Sequence, residues 1–436
     1  MFNNNRGFNN NFNKSFNFNQ KTNEDFNFNN EGHDSYVSKF ASIFIDDNHN
    51  LQNAIDTLYE SEKIFISFEY QKIDSYNEKL SLLCISNDKD TYIIDMMQED
   101  IDDDMLQKFL FDEKIQKVIY DAKKALSTLY SRYKRISKNI FDLHIASMLC
   151  NPEKNCDYRD VLFQNFGTTF KVRDPIKINY KLRPLSPKSL DRVTISAQSL
   201  RLLYNFLYKE LKTSSRTSMH NDIIAEFTQD PSVYEKSVEN AWLKIQFNTT
   251  RMDIVRRIKK IAEWRELTAK RMNISPYTIL SDATLIDIAE KNPTSHEELS
   301  EVKNLNKSIL RAIHSRRIIS AITAAQKVIL EKTDIEADVQ DIPNKYIPLV
   351  DMLKILLRVK SQQYNISATL IANNRDLAVV ALFDNPKVKC MSGWRFEAFG
   401  QDALRMKNGE IGLIYESNQF IIFENQKENM NYTKTE

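Results

Sequence analysis

Glycine is scarce in this sequence. There are 7 in 436 residues, four of them between Gly393 and Gly412. No Gly-x-Gly-x-x-Gly turn and no Walker-type loop can be assembled from so few, which excludes an ATPase or a dinucleotide enzyme. The four cysteines, Cys84, Cys150, Cys156 and Cys390, are scattered and form no Cys-x-x-Cys pair. A zinc knuckle is thereby excluded, and thiols in this pattern belong to a reducing compartment. Charge of either sign is not in excess: the formal net charge is +1. No global field draws the chain towards a polyanion, so any nucleic-acid surface must be local. No apolar run reaches the roughly 18 residues that span a bilayer, so no membrane partner is expected.

What is present is enough chain for about two to four domains and, at 42% hydrophobic residues, enough apolar side chain for real cores. Residues 1–35 stand apart. "MFNNNRGFNNNFNKSFNFNQKTNEDFNFNN" is dominated by Asn and Phe and lacks the branched aliphatics a core requires, so it is expected to be disordered. The absence of acid before Glu24 admits a mitochondrial targeting reading. Transit peptides are rich in Arg and Ser and amphipathic, and this tract is not, so the cytoplasm is the expected location and the mitochondrial matrix the alternative. A self-associating tail and an inert one are the other two readings.

Residues 40–215 alternate between strand-like and helix-like segments. "KIFISFEY", "LSLLCIS" and "DTYIIDM" read as successive strands, "DDMLQKFLFDE" as a helix, and "KVIYDAKKALSTLYSRY" as a strand leading into a helix. "IFDLHIASMLC" is apolar at helical spacing. "SPKSLDRVTISAQSLRLLYNFLYKELK" reads as one long helix or two, with Ser186 as N-cap and Pro187 in the first turn. Three strands followed by strand–helix alternation imply a mixed sheet with flanking helices. Residues 232–330 become purely helical. "TRMDIVRRIKKIAEWRELTAKRMN" places Ile254, Ile258, Ile261, Trp264 and Leu267 on one face, and "SDATLIDIAEKNP" is a capped helix that stops at Pro293. A polar linker over 331–345 separates a second helical unit, 346–425, which closes with the hairpin "GEIGLIYESNQFIIFE".

Several of these segments carry specific motifs. Glu69 ends the first strand and is followed by Tyr76, Lys79 and Leu80. Asp121 lies in "KVIYDAKKAL" and Asp142 in "IFDLHIASMLC". Arg-Pro-Leu-Ser stands at Arg183–Ser186. The helical half carries "AWLKI", "EWRE" and "SDATLIDIA", and the last unit carries "GWR" at Gly393–Arg395 and "FGQDAL" at Phe399–Leu404. On these residues the chain resembles the ribonuclease D family, in its alphaproteobacterial form. The resemblance covers everything but the Asn/Phe tail. It implies an α/β exonuclease (ribonuclease H-like) domain of the DEDD type with a mixed sheet, followed by two mainly α-helical HRDC (helicase and RNase D C-terminal) domains. It also implies 3'-5' exoribonuclease chemistry on tRNA or other structured RNA ends.

Such hydrolysis uses two divalent ions about 3.5–4 Å apart, and hard cations of that charge need several carboxylates around them. The family's motifs supply four acids and a tyrosine that orients the attacking water. Carried over position by position, the first acid is Ser67, the second is Glu69, the third is Ala125 and the fourth is Ser196, while the tyrosine is Arg192. Shifting the last motif by up to two residues reaches Gln198 and no acid. Glu69 is the only family acid retained, and one Glu with two hydroxyls cannot balance two dications.

The expectation is a ribonuclease D-like protein that has lost hydrolysis, needs no cofactor, and binds structured or tRNA-like RNA through Lys123, Lys124 and Arg192 at the old cleft. Arg256, Arg257, Lys259, Lys260, Lys270 and Arg271 would join it from the helical half, with Arg311, Arg316 and Arg317 as a weaker group. Two alternatives stand beside it. An active exoribonuclease would use Mg²⁺ or Mn²⁺ held by a relocated set such as Asp121, Asp142 and Asp191. A scaffold would bind only a protein partner. Trp242, Trp264 and Trp394 read as core residues rather than stacking platforms, and His144 as a packing histidine.

Overall fold

The structure is a computed structural model that describes residues 42–71, 76, 79–151, 158, 160–162, 180, 182–235, 237–245, 247, 251–305, 311–328 and 342–425. The Asn/Phe segment 1–35, Cys156 and most of the 331–345 linker lie outside them.

The first half contains β1 (Ser42–Ile45), α1 (Asn48–Tyr59), β2 (Lys63–Tyr70), β3 (Leu80–Ser86), β4 (Thr91–Asp95), α2 (Asp103–Leu110), β5 (Gln116–Ile119), α3 (Ala122–Tyr133), β6 (Ile140–Asp142) and α4 (Leu143–Cys150). Next come α5 (Pro187–Thr213) and α6 (Thr217–Thr228). The six strands form one mixed sheet in the order β1-β4-β3-β2-β5-β6, antiparallel across β4-β3-β2 and parallel at both margins. The continuous apolar run of β3 is explained by its place inside the sheet, where all seven of its residues are buried. The strand expected from "KIFISFEY" is β2, a central strand whose alternate residues meet different layers. Phe65 faces α5, its ring edge-on to that of Tyr204 with centroids 5.9 Å apart.

Two local expectations are refined. "IFDLHIASMLC" is not helical from its start: Ile140–Asp142 pair with β5, and the helix begins at Leu143 because the Asp142 carboxylate caps it. "SPKSL…KELK" is one helix of 27 residues, started by Ser186, whose hydroxyl accepts the Ser189 N–H. Its inner face, Val193, Ala197, Leu200, Leu203, Leu207 and Leu211, lies on the sheet.

The second half contains α7 (Met252–Met272), α8 (Asp282–Lys291), α9 (Ala312–Ala325), α10 (Ile347–Tyr364), α11 (Asn374–Leu382), α12 (Gln401–Lys407) and the hairpin β7 (Ile411–Glu416) with β8 (Gln419–Glu424). On α7, Ile254, Ile258, Ile261 and Trp264 are buried as the period demands, but Leu267 is 45% exposed. Arg265 and Glu266 are buried in its place because both have partners: Arg265 donates to the Leu280 carbonyl and to Asp282, and Glu266 accepts a hydrogen bond from Tyr76. In the last unit, Gly393 turns with φ +55°, and a side chain at Gly400 would collide with the Cys390 carbonyl oxygen.

The cores are unequally divided. α7, α8 and α9 enclose a cluster of their own, joined from the first half by Tyr76. The second helical unit has no separate core. Val350, Leu353 and Leu356 of α10, with Leu377, Val380 and Phe399, continue the cluster built by the sheet and α1 to α6. Arg216 locks this junction by donating to the carbonyls of Leu149, Tyr364 and Asn365, and Ser367 N–H reaches the Met148 carbonyl at 2.8 Å.

Candidate functional site

Glu69 stands on β2 opposite Leu82 of β3, half-buried, beside a small apolar cluster of Leu82, Cys84, Ile93, Tyr180, Val193 and Ala197. Ser67, at the position of the first family acid, donates its hydroxyl to Glu69 Oε1 at 3.3 Å. Tyr180 adds a hydrogen bond from its phenol. That tyrosine is firmly held: its carbonyl accepts from Ser81 Oγ at 2.6 Å and from Arg183 at 2.7 Å, while Arg183 grips the fully buried Asp95 of β4. Burial raises the Glu69 carboxyl above the usual glutamate value, and the Tyr180 and Ser67 hydrogen bonds and the charges of Arg192 and Lys124 offset only part of this. The same burial, with the Glu69 charge nearby, raises the Cys84 thiol and the Tyr180 phenol.

The other positions of the family set do not restore an acid. Ala125 is buried on the inner side of α3. Arg192 of α5 brings positive charge towards Glu69. Ser196 offers its carbonyl to the Tyr158 hydroxyl at 3.1 Å, and Gln198 turns its amide to Thr91 at 3.4 Å. The alternative acids are elsewhere. Asp121 and Asp142 serve helix ends: Asp121, itself at φ 59°, caps α3 by accepting the Lys124 N–H. Asp142 accepts backbone N–H groups from Asp121, Ala122, His144 and Ile145, tying the starts of α3 and α4 together. Burial pushes Asp142 up to about 7, against those hydrogen bonds. Asp191 is exposed on α5. Among the described residues no group of three or more His, Cys, Asp or Glu side chains is arranged to hold a metal ion. The described side chains beside Glu69 are the hydroxyls of Ser67 and Tyr180, with the charges of Arg192 and Lys124 nearby.

The basic residues separate into two sets. Arg257 donates to the Ala289 carbonyl and pairs with Asp253, and Lys259 lies over the Trp242 ring, so these two bind α7 to its surroundings, while Lys260 pairs with Glu263 within the helix. Arg256 is half-buried with its Nε unpartnered. Lys123, Lys124 and Lys270 converge instead. They line a cavity of about 710 Å³ between α3 and the first helical unit, together with Lys134, Tyr76, Tyr130 and Tyr234. Lys124 reaches back over the Tyr70 ring at 4.4 Å, which links the cavity to the end of β2. Arg271 follows Lys270 on the exposed end of α7 and, with Arg311 and Arg317, surrounds His314; burial and these three charges lower the His314 pKa. Arg316 is exposed on α9.

Trp242 and Trp264 are buried in the first helical unit, and Trp394 is half-buried beneath the Arg395 guanidinium. His144 stacks on Tyr120 at 5.2 Å, and burial lowers its pKa against the nearby Asp121 charge. Tyr180 and Lys134 are the residues that sequence reasoning missed. Lys134 carried a legible signal, because it ends α3 about three turns beyond Lys123. Tyr180 carried none, since the partners that bring it to the site, Ser81 and Glu69, are about a hundred residues away in the chain.

Comparison with known proteins gives a consistent set of likenesses. The family model described as 3'-5' exonuclease matches residues 42–191, and that described as HRDC domain matches residues 255–322. Ribonuclease D of Bartonella henselae is 28% identical over 370 residues, covering 85% of this chain and 90% of the relative. Ribonuclease D of Granulibacter bethesdensis is 25% identical over 386 residues, covering 88% and 97%. The crystal structure of Escherichia coli RNase D, described as an exoribonuclease involved in structured RNA processing, superposes with a TM-score of 0.70 at 18% identity, covering 84% of this chain and 99% of that one. At that identity the likeness is one of fold.

Proposed function

The chain belongs to the ribonuclease D family, and from that premise we propose that it is a member that binds RNA without hydrolysing it. The observation that carries the reading is the state of the site around Glu69. Three of four acid positions hold Ser67, Ala125 and Ser196, and the remaining carboxylate is engaged by Ser67 and Tyr180 with Arg192 beside it. Hydrolysis at neutral pH would need ions, and ions would need charge that these side chains do not supply. RNA in this reading lies along the lysines of α3 and the end of α7, gripped by its phosphates. The RNA would be structured or tRNA-like, and the protein a scaffold or protecting factor for it. The buried, unpaired thiols of Cys84, Cys150 and Cys390 suit a reducing compartment such as the cytoplasm, and among the described residues no helix is long and apolar enough to cross a membrane.

The names of the relatives favour a second reading, an active metal-dependent 3'-5' exoribonuclease. A paired assay on the purified chain separates the two. Labelled single-stranded and tRNA-like RNAs are incubated with Mg²⁺ or Mn²⁺, and binding of the same RNAs is measured in EDTA. Binding in EDTA with no shortening is the expected result. Metal-dependent shortening from the 3' end, abolished by Glu69→Gln, would overturn the proposal. Neither binding nor shortening would favour the protein scaffold. A companion expectation concerns metal alone: millimolar Mg²⁺ leaves the melting temperature unchanged, whereas saturating a site a hundredfold above its Kd would add about 2.7 kcal/mol.

A further inference from the structure

We infer that the hairpin of β7 and β8 is the docking site of the chain's own Asn/Phe segment, whose residues 16–19 add to it as a third strand along the outer edge of β8. This surface belongs to the last unit of the chain and is independent of the RNA reading.

The hairpin leaves five large apolar side chains exposed: Ile414, Tyr415, Phe420, Ile421 and Phe423. Register explains the pattern. Leu413 and Ile422 stand opposite each other and pack on the shared core. On the other side of the ribbon Ile414 stands opposite Ile421, and the Phe423 ring lies across Gly412, which has no side chain to obstruct it. β7 runs beside α12, whereas every residue of β8 except Ile422 is exposed. Among the described residues the two strands form a sheet by themselves, so the outer edge of β8 has no strand partner there. An edge with the sequence "QFIIFE" has high β-propensity and neither Pro nor Lys to blunt it, and proteins keep such edges covered.

The size of the patch selects the occupant. At about 150–250 Å² for a fully exposed side chain of this kind, five that are 36–61% exposed offer roughly 450 Å². A folded partner, a second copy included, needs about 800 Å² on each side. One added strand needs less, because its main-chain hydrogen bonds supply much of the affinity.

The Asn/Phe segment contains such a strand. Phe-Asn-Phe-Asn occurs twice, at 16–19 and 26–29. Its period of two puts both Phe side chains on one face of a strand and both Asn on the other. Paired to β8, the Phe face extends the side of Ile414, Ile421 and Phe423. Charge chooses between the two runs. The hairpin carries Glu416 and Glu424 and no Lys or Arg. Arg405 holds Glu424, while the Glu416 carboxylate has no partner among the described residues. Lys14 and Lys21 flank the first run, but Glu24, Asp25 and Glu31 flank the second. The first is drawn to the hairpin and the second repelled. Reach is ample: the 22 residues between Asn19 and Ser42 can span about 70 Å, against about 30 Å for the diameter of a small domain.

The test uses the full chain and reads amide exchange by mass spectrometry. A run that binds with a Kd of about 0.1 mM, presented by its tether at about 1 mM, is docked in about ten molecules of eleven, so residues 15–20 should exchange about tenfold more slowly than residues 25–30. Phe16→Ser with Phe18→Ser should abolish that protection and speed exchange in β8. Phe26→Ser with Phe28→Ser should change neither. Ile421→Ser should release the run. Glu416→Lys, at the exposed end of β7, should weaken the protection about two- to fivefold at low salt and less at high salt. Carbodiimide should couple Lys14 or Lys21 to Glu416 within one chain, with no cross-link between copies in a mixture of light and heavy protein. Full-rate exchange over residues 15–20 overturns the docking. Protection that survives both Ile421→Ser and Glu416→Lys places the run elsewhere and overturns the hairpin as its site. Exchange in β8 that ignores the Phe16→Ser, Phe18→Ser pair shows a different cover and does the same. Cross-links between copies, with protection that rises with protein concentration, overturn docking within the chain in favour of self-association.

Discussion

Glu69 holds a charge that its surroundings resist, and the resistance has a measurable sign. Its carboxyl titrates higher in the folded chain than in the unfolded chain because it is buried. The folded state therefore binds the proton more readily, and the wild-type chain loses stability as pH rises from the unfolded value towards the folded one. Glu69→Gln has no such titration. Denaturation midpoints of the two should coincide below about pH 4.5, and the Gln variant should become the more stable as pH rises above it. Equal midpoints at pH 8 would show that the charge is well accommodated. The same burial logic governs restoration of a family acid. Ala125 is 2% exposed on α3, so Ala125→Asp alone places a carboxylate against apolar side chains and should destabilise by roughly 2–4 kcal/mol, measured by urea denaturation. A stability equal to wild type would mean that the new acid finds solvent or a counter-charge.

At the scale of elements, the "EWRE" turn of α7 has a separate task for each residue. Glu263 pairs with Lys260, Trp264 enters the core, Arg265 ties α7 to the start of α8, and Glu266 receives the Tyr76 hydroxyl at 2.7 Å from the other half of the chain. Tyr76→Phe leaves Glu266 buried without that donor. It should cost about 1–3 kcal/mol, and the loss should be confined to the first helical unit, read as faster amide exchange in α7 and α8 with β2 and β3 unchanged. Uniform loosening of both halves would contradict two separate cores. Tyr76, Lys79 and Leu80 were legible as a motif, but their purpose was not, since nothing in the order of residues links Tyr76 to Glu266, 190 positions on. The strands β2, β3, β4 and β5, the long α5 and the capped α8 were legible because period and caps are local. Which residues stand at the acid positions is likewise read from aligned motifs alone; what they do to the chemistry is for the paired assay to decide. The convergence of Lys123 and Lys124 with Lys270, and the internal ties of Arg257 and Lys259, depend on how helices meet. A basic face in sequence does not tell cations that grip a partner from cations that bind their own helix.

For the whole molecule, the two helical units differ in kind. The first encloses its own core, while the second completes that of the sheet domain through Val350, Leu353 and Leu356, each at most 2% exposed. Fully burying each of these side chains contributes about 1.5–3 kcal/mol, and a domain's net stability is only about 5–15 kcal/mol. A chain ending at Val328 should therefore keep helical circular dichroism yet melt broadly and bind hydrophobic dyes. A chain in which residues 237–328 are replaced by a flexible linker of sufficient reach should still melt cooperatively. A sharp transition in the chain ending at Val328 would contradict the shared core.

The shared core also bears on the chain during its synthesis. The long helix on the sheet is complete near Leu211, but the cluster it belongs to closes only with residues up to Ile411. At about 5–20 residues per second, the roughly 200 residues between them take about 10–40 s to appear. For that interval the sheet domain's apolar flank has no cover from its own chain, while the later-made first helical unit can already close around itself. The order in which the polypeptide is made is not the order in which its parts are finished. The nascent sheet domain is then the form most open to chaperones and to aggregation.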